Sequence, residues 1–121
     1  MKKKNFTIFA GLLALVFIVF VFRPVPIPEE KDCFVLKGTV TKIYEGGVKD
    51  VVIELSGQNQ KFYVNRGLER GLNLKELQQK LTGSKIVLKY PDYWTPLDPG
   101  KSIIHISKIE HEGQTVFTEL N

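Results

Sequence analysis

Two histidines are the first residues of this 121-residue chain with the means for catalysis or metal binding, because imidazole titrates near neutrality and ligates metals. His105 and His111 fall in a segment of strand character, where a rise of ~3.3 Å per residue would set them roughly 20 Å apart. They share no metal there unless the strand breaks. His111, between Glu110 and Glu112 at an expected turn, reads as a solvated surface side chain. No Ser, Asp and His set sits in a nucleophile-elbow context. Pro99-Gly100-Lys101-Ser102 resembles the end of a phosphate-binding loop, but Thr95 stands where that motif needs glycine, and a strand follows where it needs a helix. Asp50, Asp92 and Asp98 lack the dense spacing of a calcium loop. The expectation is a non-enzyme with neither metal nor cofactor.

Two segments suit recognition better than catalysis. Asn65-Arg66-Gly67-Leu68-Glu69-Arg70-Gly71-Leu72 places arginines beside glycines in a domain that otherwise draws its positive charge from lysine. The planar guanidinium fork suits carboxylates or phosphates. Equally, the glycines permit tight turns while the arginines pair with Glu69 or with carbonyls. In Pro91 to Lys101, three prolines stiffen a loop that carries Tyr93 and Trp94, the aromatic types that anchor recognition surfaces. Trp94 either joins such a surface or folds back onto an open end of the domain.

These residues need a scaffold, and residues 33–121 read as one mainly β domain. Cys33 to Tyr44 is rich in β-branched and aromatic residues and changes phase near Gly38, where a bulge or bend is expected. Glu45-Gly46-Gly47 and Ser56-Gly57-Gln58-Asn59 read as turns around a strand holding Val51, Ile53 and Leu55. Lys61 to Asn65 follows as a third strand, with Phe62 and Val64 on one face and Tyr63 and Asn65 on the other. Asn73 as N-cap, Glu76 three residues on, leucines at 74, 77 and 81, and Gly83 as terminator predict one helix over about residues 74–82. Lys85 to Tyr90 is a fourth strand, Ser102 to Glu110 a fifth, and Glu112-Gly113-Gln114 permits a last hairpin into Val116 to Leu120.

That order, with its long bent first strand and its helix between the third and fourth strands, resembles the OB-fold over residues 33–112. The likeness is one of architecture; an SH3-like barrel or a plain β-sandwich fits the same strands. The OB resemblance implies a binding face formed by strands two and three and the loop before strand five. On that analogy Tyr63, Asn65, Arg66, Tyr93 and Trp94 form one patch. The haem chaperone of cytochrome c maturation is also a small anchored OB-fold, so a cofactor carrier is the alternative class. Its attachment histidine precedes a tyrosine, whereas His105 precedes Ile106 and His111 precedes Glu112.

Charge and topology are the same question here. The chain carries 17 basic and 13 acidic residues, and setting aside Lys2, Lys3, Lys4 and Arg23 leaves the basic and acidic residues equal in number. Those four flank Phe6 to Phe22, 17 residues without a charge, which as a helix would span roughly 26 Å of bilayer core. Residues 1–5 read as a cytoplasmic basic tail, 6–22 as an uncleaved transmembrane signal anchor, 23–32 as a proline-rich linker and 33–121 as an exported OB-like β-barrel domain, oriented by the positive-inside rule. No A-x-A-like cleavage site is apparent, although a secreted domain released by signal cleavage is the alternative. Charged residues before the single Cys33 oppose a lipoprotein reading, and one cysteine forms no internal disulfide. The expected partners are the membrane and another envelope protein or a small ligand. Nucleic acid is not expected, because backbone binding depends on clustered positive charge.

Overall fold

A computed structural model describes residues 2–22, 25 and 27–120, with side chains from residue 5 onward. Helix α1 runs Lys2–Phe22 and includes the apolar stretch, which lies entirely unburied over Asn5–Phe22. It is long and apolar enough to cross a membrane. Of the predicted spacer, Arg23, Pro24 and Pro26 lie outside the described residues. A single 3-10 turn, Glu30–Asp32, precedes the first strand.

Strands β1 (Phe34–Gly46), β2 (Asp50–Leu55), β3 (Lys61–Val64), β4 (Lys85–Tyr90), β5 (Ile103–His105), β6 (Lys108–His111) and β7 (Gln114–Thr118) form one mixed sheet in the order β5-β3-β2-β1-β4-β6-β7. The expected barrel is thus replaced by a seven-stranded sheet that its ladders do not close. Strand β1 serves two partners: Phe34 to Thr39 pair with β4, and Val40 to Gly46 pair with β2, with an irregularity between Val40 and Lys42. The change of partner comes just past Gly38. A methyl group there would lie 2.9 Å from Leu55 Cδ1, so the bare backbone lets β2's last apolar residue pack across the bend. The first hairpin turn falls slightly later than predicted, over residues 47–49, because Gly46 still pairs with Asp50.

The predicted fifth strand is two strands. β5 lies parallel to β3, pairing Tyr63 with His105, whereas β6 lies antiparallel to β4. Between them the Ile106 amide donates to Tyr63 O and the Ser107 amide to Lys89 O, each at 2.8 Å. One continuous segment thus passes from one strand neighbour to another, and the ladder must break where it changes partner. The Glu112–Gly113 turn, with φ of 52° and 77°, then returns the chain into β7. That hairpin strand begins earlier than the sequence suggests.

Helix α2, Leu74–Leu81, is capped as predicted: the Glu76 amide donates to Asn73 Oδ1 at 3.0 Å, and Gly83 takes φ +82° just past its end. Its buried Leu77 and Leu81 join Val40, Ile43, Ile53, Phe62, Ile86, Leu88 and Ile109 in one core. Gln78 Nε2 donates to Ile43 O at 2.8 Å, tying helix to sheet.

Candidate functional site

The outer face of β2 and β3 does not stay flat, because the loop after β4 folds over it. That loop orders itself through Asp98, whose Oδ1 accepts from the Ser102 hydroxyl at 2.6 Å and the Ser102 amide at 3.1 Å, and whose Oδ2 accepts from the Ile103 amide at 2.9 Å. The Ser102 hydroxyl first, then the Ile103 amide, holds the Asp98 carboxyl below its ordinary range. Trp94 Nε1 donates to Pro99 O at 3.1 Å, and Lys101 Nζ pairs with Asp92 Oδ1 at 3.3 Å. The loop therefore enters β5 in a defined shape.

Between loop and sheet lies a cleft of about 560 Å³. The 47–50 turn contributes Gly47 and Asp50; β2 and β3 contribute Val52, Tyr63 and Asn65; the loop and β5 contribute Tyr93, Leu97, Lys101, Ile103 and His105, among others. Three of the five residues predicted as a patch, Tyr63, Asn65 and Tyr93, thus meet in one concave site. The other two are placed differently. Arg66 sits at φ +51° and donates its amide to Asp50 Oδ1 at 2.8 Å, while its guanidinium, 60% exposed, pairs with Glu69 at 3.6 Å. Trp94 is 43% exposed, so it does not plug an end of the domain; its indole N–H braces the loop. Neither lines the cleft. Gly67 beside Arg66 is buried, and a methyl group there would press on Val51, Leu72 and Val64 at 2.9 to 3.1 Å. The conspicuous glycine is thus a packing requirement.

The polar group that sequence reasoning missed lies on the cleft's inner side. Buried His105 brings Nε2 to 2.6 Å from Glu119 Oε1, Ser107 Oγ donates to the same oxygen at 3.0 Å, and Arg70 lies 3.5 Å from Glu119 Oε2. Tyr63 meets the His105 ring edge-on, with centroids 5.5 Å apart. Burial above all, then Asp50 and Tyr93, pushes the Tyr63 phenol up, so it remains a hydroxyl over the whole working pH range. A signal for this cluster was the spacing of His105 and Ser107, two polar side chains two apart within the mainly apolar segment that the sequence reads as one strand. Their common partner, Glu119, is brought in from beyond β7 and has no local signature.

His111 departs from its expected solvated state, since its side chain is only 10% exposed beside Glu112. Among the described residues, no three His, Cys, Asp or Glu side chains converge to hold a metal ion. Compared with known protein families and with curated proteins, the chain matches no family model and no curated sequence. The reading of the site therefore rests on its geometry.

Proposed function

We propose that the chain is a single-pass membrane-anchored binding module with its N-terminus in the cytoplasm and its β domain outside, and that the cleft is its binding face. The observation that carries this is the convergence of Tyr63, Asn65 and Tyr93 with Asp50 and His105 around about 560 Å³ of space, a volume in the range of small-ligand sites. Helix α1 supports the anchor, and the lysines at its N-terminal end, ahead of the apolar stretch, support the orientation. The OB-like assignment is supported by the single segment that runs along β3 and then β4, the strands on either side of the β1–β2 hairpin. Both signs of charge line the cleft, which disfavours a polyanion such as nucleic acid.

The test uses the full chain in its membrane. A photoreactive amino acid at Leu97, on the cleft, is expected to give one discrete adduct that the same group at Gln79, on the exposed side of α2, does not give. Equal labelling at both positions, or none at either, would count against the cleft as the binding face. Protease added outside spheroplasts is expected to remove a C-terminal tag while the untreated chain keeps its full mass; a protected tag would overturn the orientation.

A further inference from the structure

The residues that join the apolar helix to the β domain enter it at one end of the sheet. Glu30 is held against Lys89 of β4 and Lys108 of β6, and Phe34, the first residue of β1, pairs with Tyr90, the last of β4. The connection from β4 to β5 leaves the sheet at that same point. Residues 23–29 separate Phe22 from Glu30, and even fully extended they reach only about 27 Å. On the reading of α1 as the anchor, this end of the domain is therefore kept close to the bilayer.

Exposed apolar surface gathers at the same end. Of the large apolar side chains exposed beyond α1 among the described residues, all but Val48 lie on the tether, on the first two residues of β1 or between residues 94 and 103. Phe34 is half-exposed with its ring centroid 5.5 Å from that of Tyr90, Ile103 is more exposed still, and the two line one side pocket with Pro91 and Tyr93. Trp94 comes next on the loop. Its indole N–H is already given to Pro99 O, so the ring leaves water without stranding a donor. Lys101 is paired with Asp92, and the Asp98 oxygens are taken up by Ser102 and Ile103. The loop thus offers no cluster of unpaired like charge.

We propose that this end of the domain docks on the bilayer itself, with Trp94, Phe34 and Ile103 seated in the lipid headgroup layer beside the anchor. Amphipathic aromatic rings favour that layer. A patch tethered within reach of a surface meets it at high effective concentration, so a few apolar side chains suffice to hold it there. The short tether also favours the bilayer over a protein partner, because the bilayer is in reach in every copy of the chain and no second body has to be immobilised.

Trp94 is the single tryptophan of the chain and reports on its own surroundings. The full-length protein would be reconstituted in phosphatidylcholine vesicles with and without brominated acyl chains. Brominated lipid is expected to quench Trp94 emission, and the quenching is expected to persist in about 1 M salt, where exposed charges are screened. Ile103→Asp, at an exposed side chain, is expected to lose most of the quenching, as is a tether lengthened after Pro28 by about 20 Gly and Ser residues, which leaves the domain untouched. An unquenched wild-type Trp94, quenching that disappears in salt, or quenching unaltered in both variants would each overturn the proposal. The anchor is read separately, by sedimentation with the vesicles after an alkaline carbonate wash. Should the chain stay with the vesicles while Trp94 is unquenched, the docking falls and the anchor stands; should the chain wash off, both fall.

Discussion

Burial acts on the Glu119 carboxyl more strongly than any single neighbour and pushes its pKa up, yet His105, Ser107 and Arg70 together outweigh it, so the group stays below its ordinary value. The sign of the linkage follows. A carboxyl that ionises more readily folded than unfolded contributes stability that is fully present above its unfolded pKa of about 4.3 and disappears as pH falls through the lower folded value. Urea denaturation across pH 3 to 7 is therefore expected to show wild-type stability declining below about pH 4.5. Glu119→Gln is expected to cost about 1–3 kcal/mol at neutral pH by weakening the bonds to His105 and Ser107, and to flatten the acid decline. An undiminished acid slope in the variant would show that other carboxyls govern it.

At the level of elements, helix α2 and the two-partner strand β1 hold the sheet's shape. Leu81 is fully buried, so Leu81→Ala is expected to lose about 2–5 kcal/mol by cavity formation, against about 1 kcal/mol for Asn73→Ala through the lost cap. Thermal denaturation ranks the two; the reverse order would place the helix's main contribution in its cap rather than its packing. These local features were legible in the sequence because their causes are local: a capping side chain, leucines at helical spacing, a glycine to stop. The Gly38 bend was legible for a similar reason. The division of residues 102–110 into two strands was not, since Ile106 and Ser107 carry no turn signal and the break is imposed by distant partners, Tyr63 and Lys89. The site divides along the same line. Tyr63, Asn65 and Tyr93 could be named from residue type and an architectural analogy, whereas His105 joins them only through its parallel pairing with Tyr63. Arg66 was attractive as a rare residue type, yet its contribution to the cleft runs through its backbone, which fixes the Asp50 carboxylate.

Across the whole molecule, the net charge of +4 separates into a linker and β domain that together are formally neutral and four positive residues that flank the apolar run. The segment between them is gripped at one end. Glu30 pairs with Lys108 on β6 and lies 3.6 Å from Lys89 on β4, while Glu110 lies 3.2 Å from Lys108. The Lys108 hydrogen bond, as the largest cause, holds the Glu30 carboxyl below its ordinary range, and Glu30 in turn raises Lys108. Exposed pairs of this kind add little to stability, so the clamp's effect is positional. Glu30→Gln is expected to leave the melting temperature nearly unchanged while speeding hydrogen exchange at the Asp32 and Cys33 amides, which close the turn onto Glu29 and Glu30. Unchanged exchange would mean that the turn holds itself.

The parallel pairing of β3 with β5 sets the order in which the domain can assemble. The β1–β2 and β2–β3 hairpins and helix α2 need only near neighbours, whereas Tyr63 and His105 meet after α2, β4 and the whole proline-rich loop have been threaded past. Contacts of such long range form slowly, since the entropy of closing the intervening chain is spent before they stabilise anything. The binding cleft is thus expected among the last features to appear in refolding. A ligand that requires it would bind the finished domain alone, so occupancy would raise the stability of the entire fold rather than of the loop that touches it.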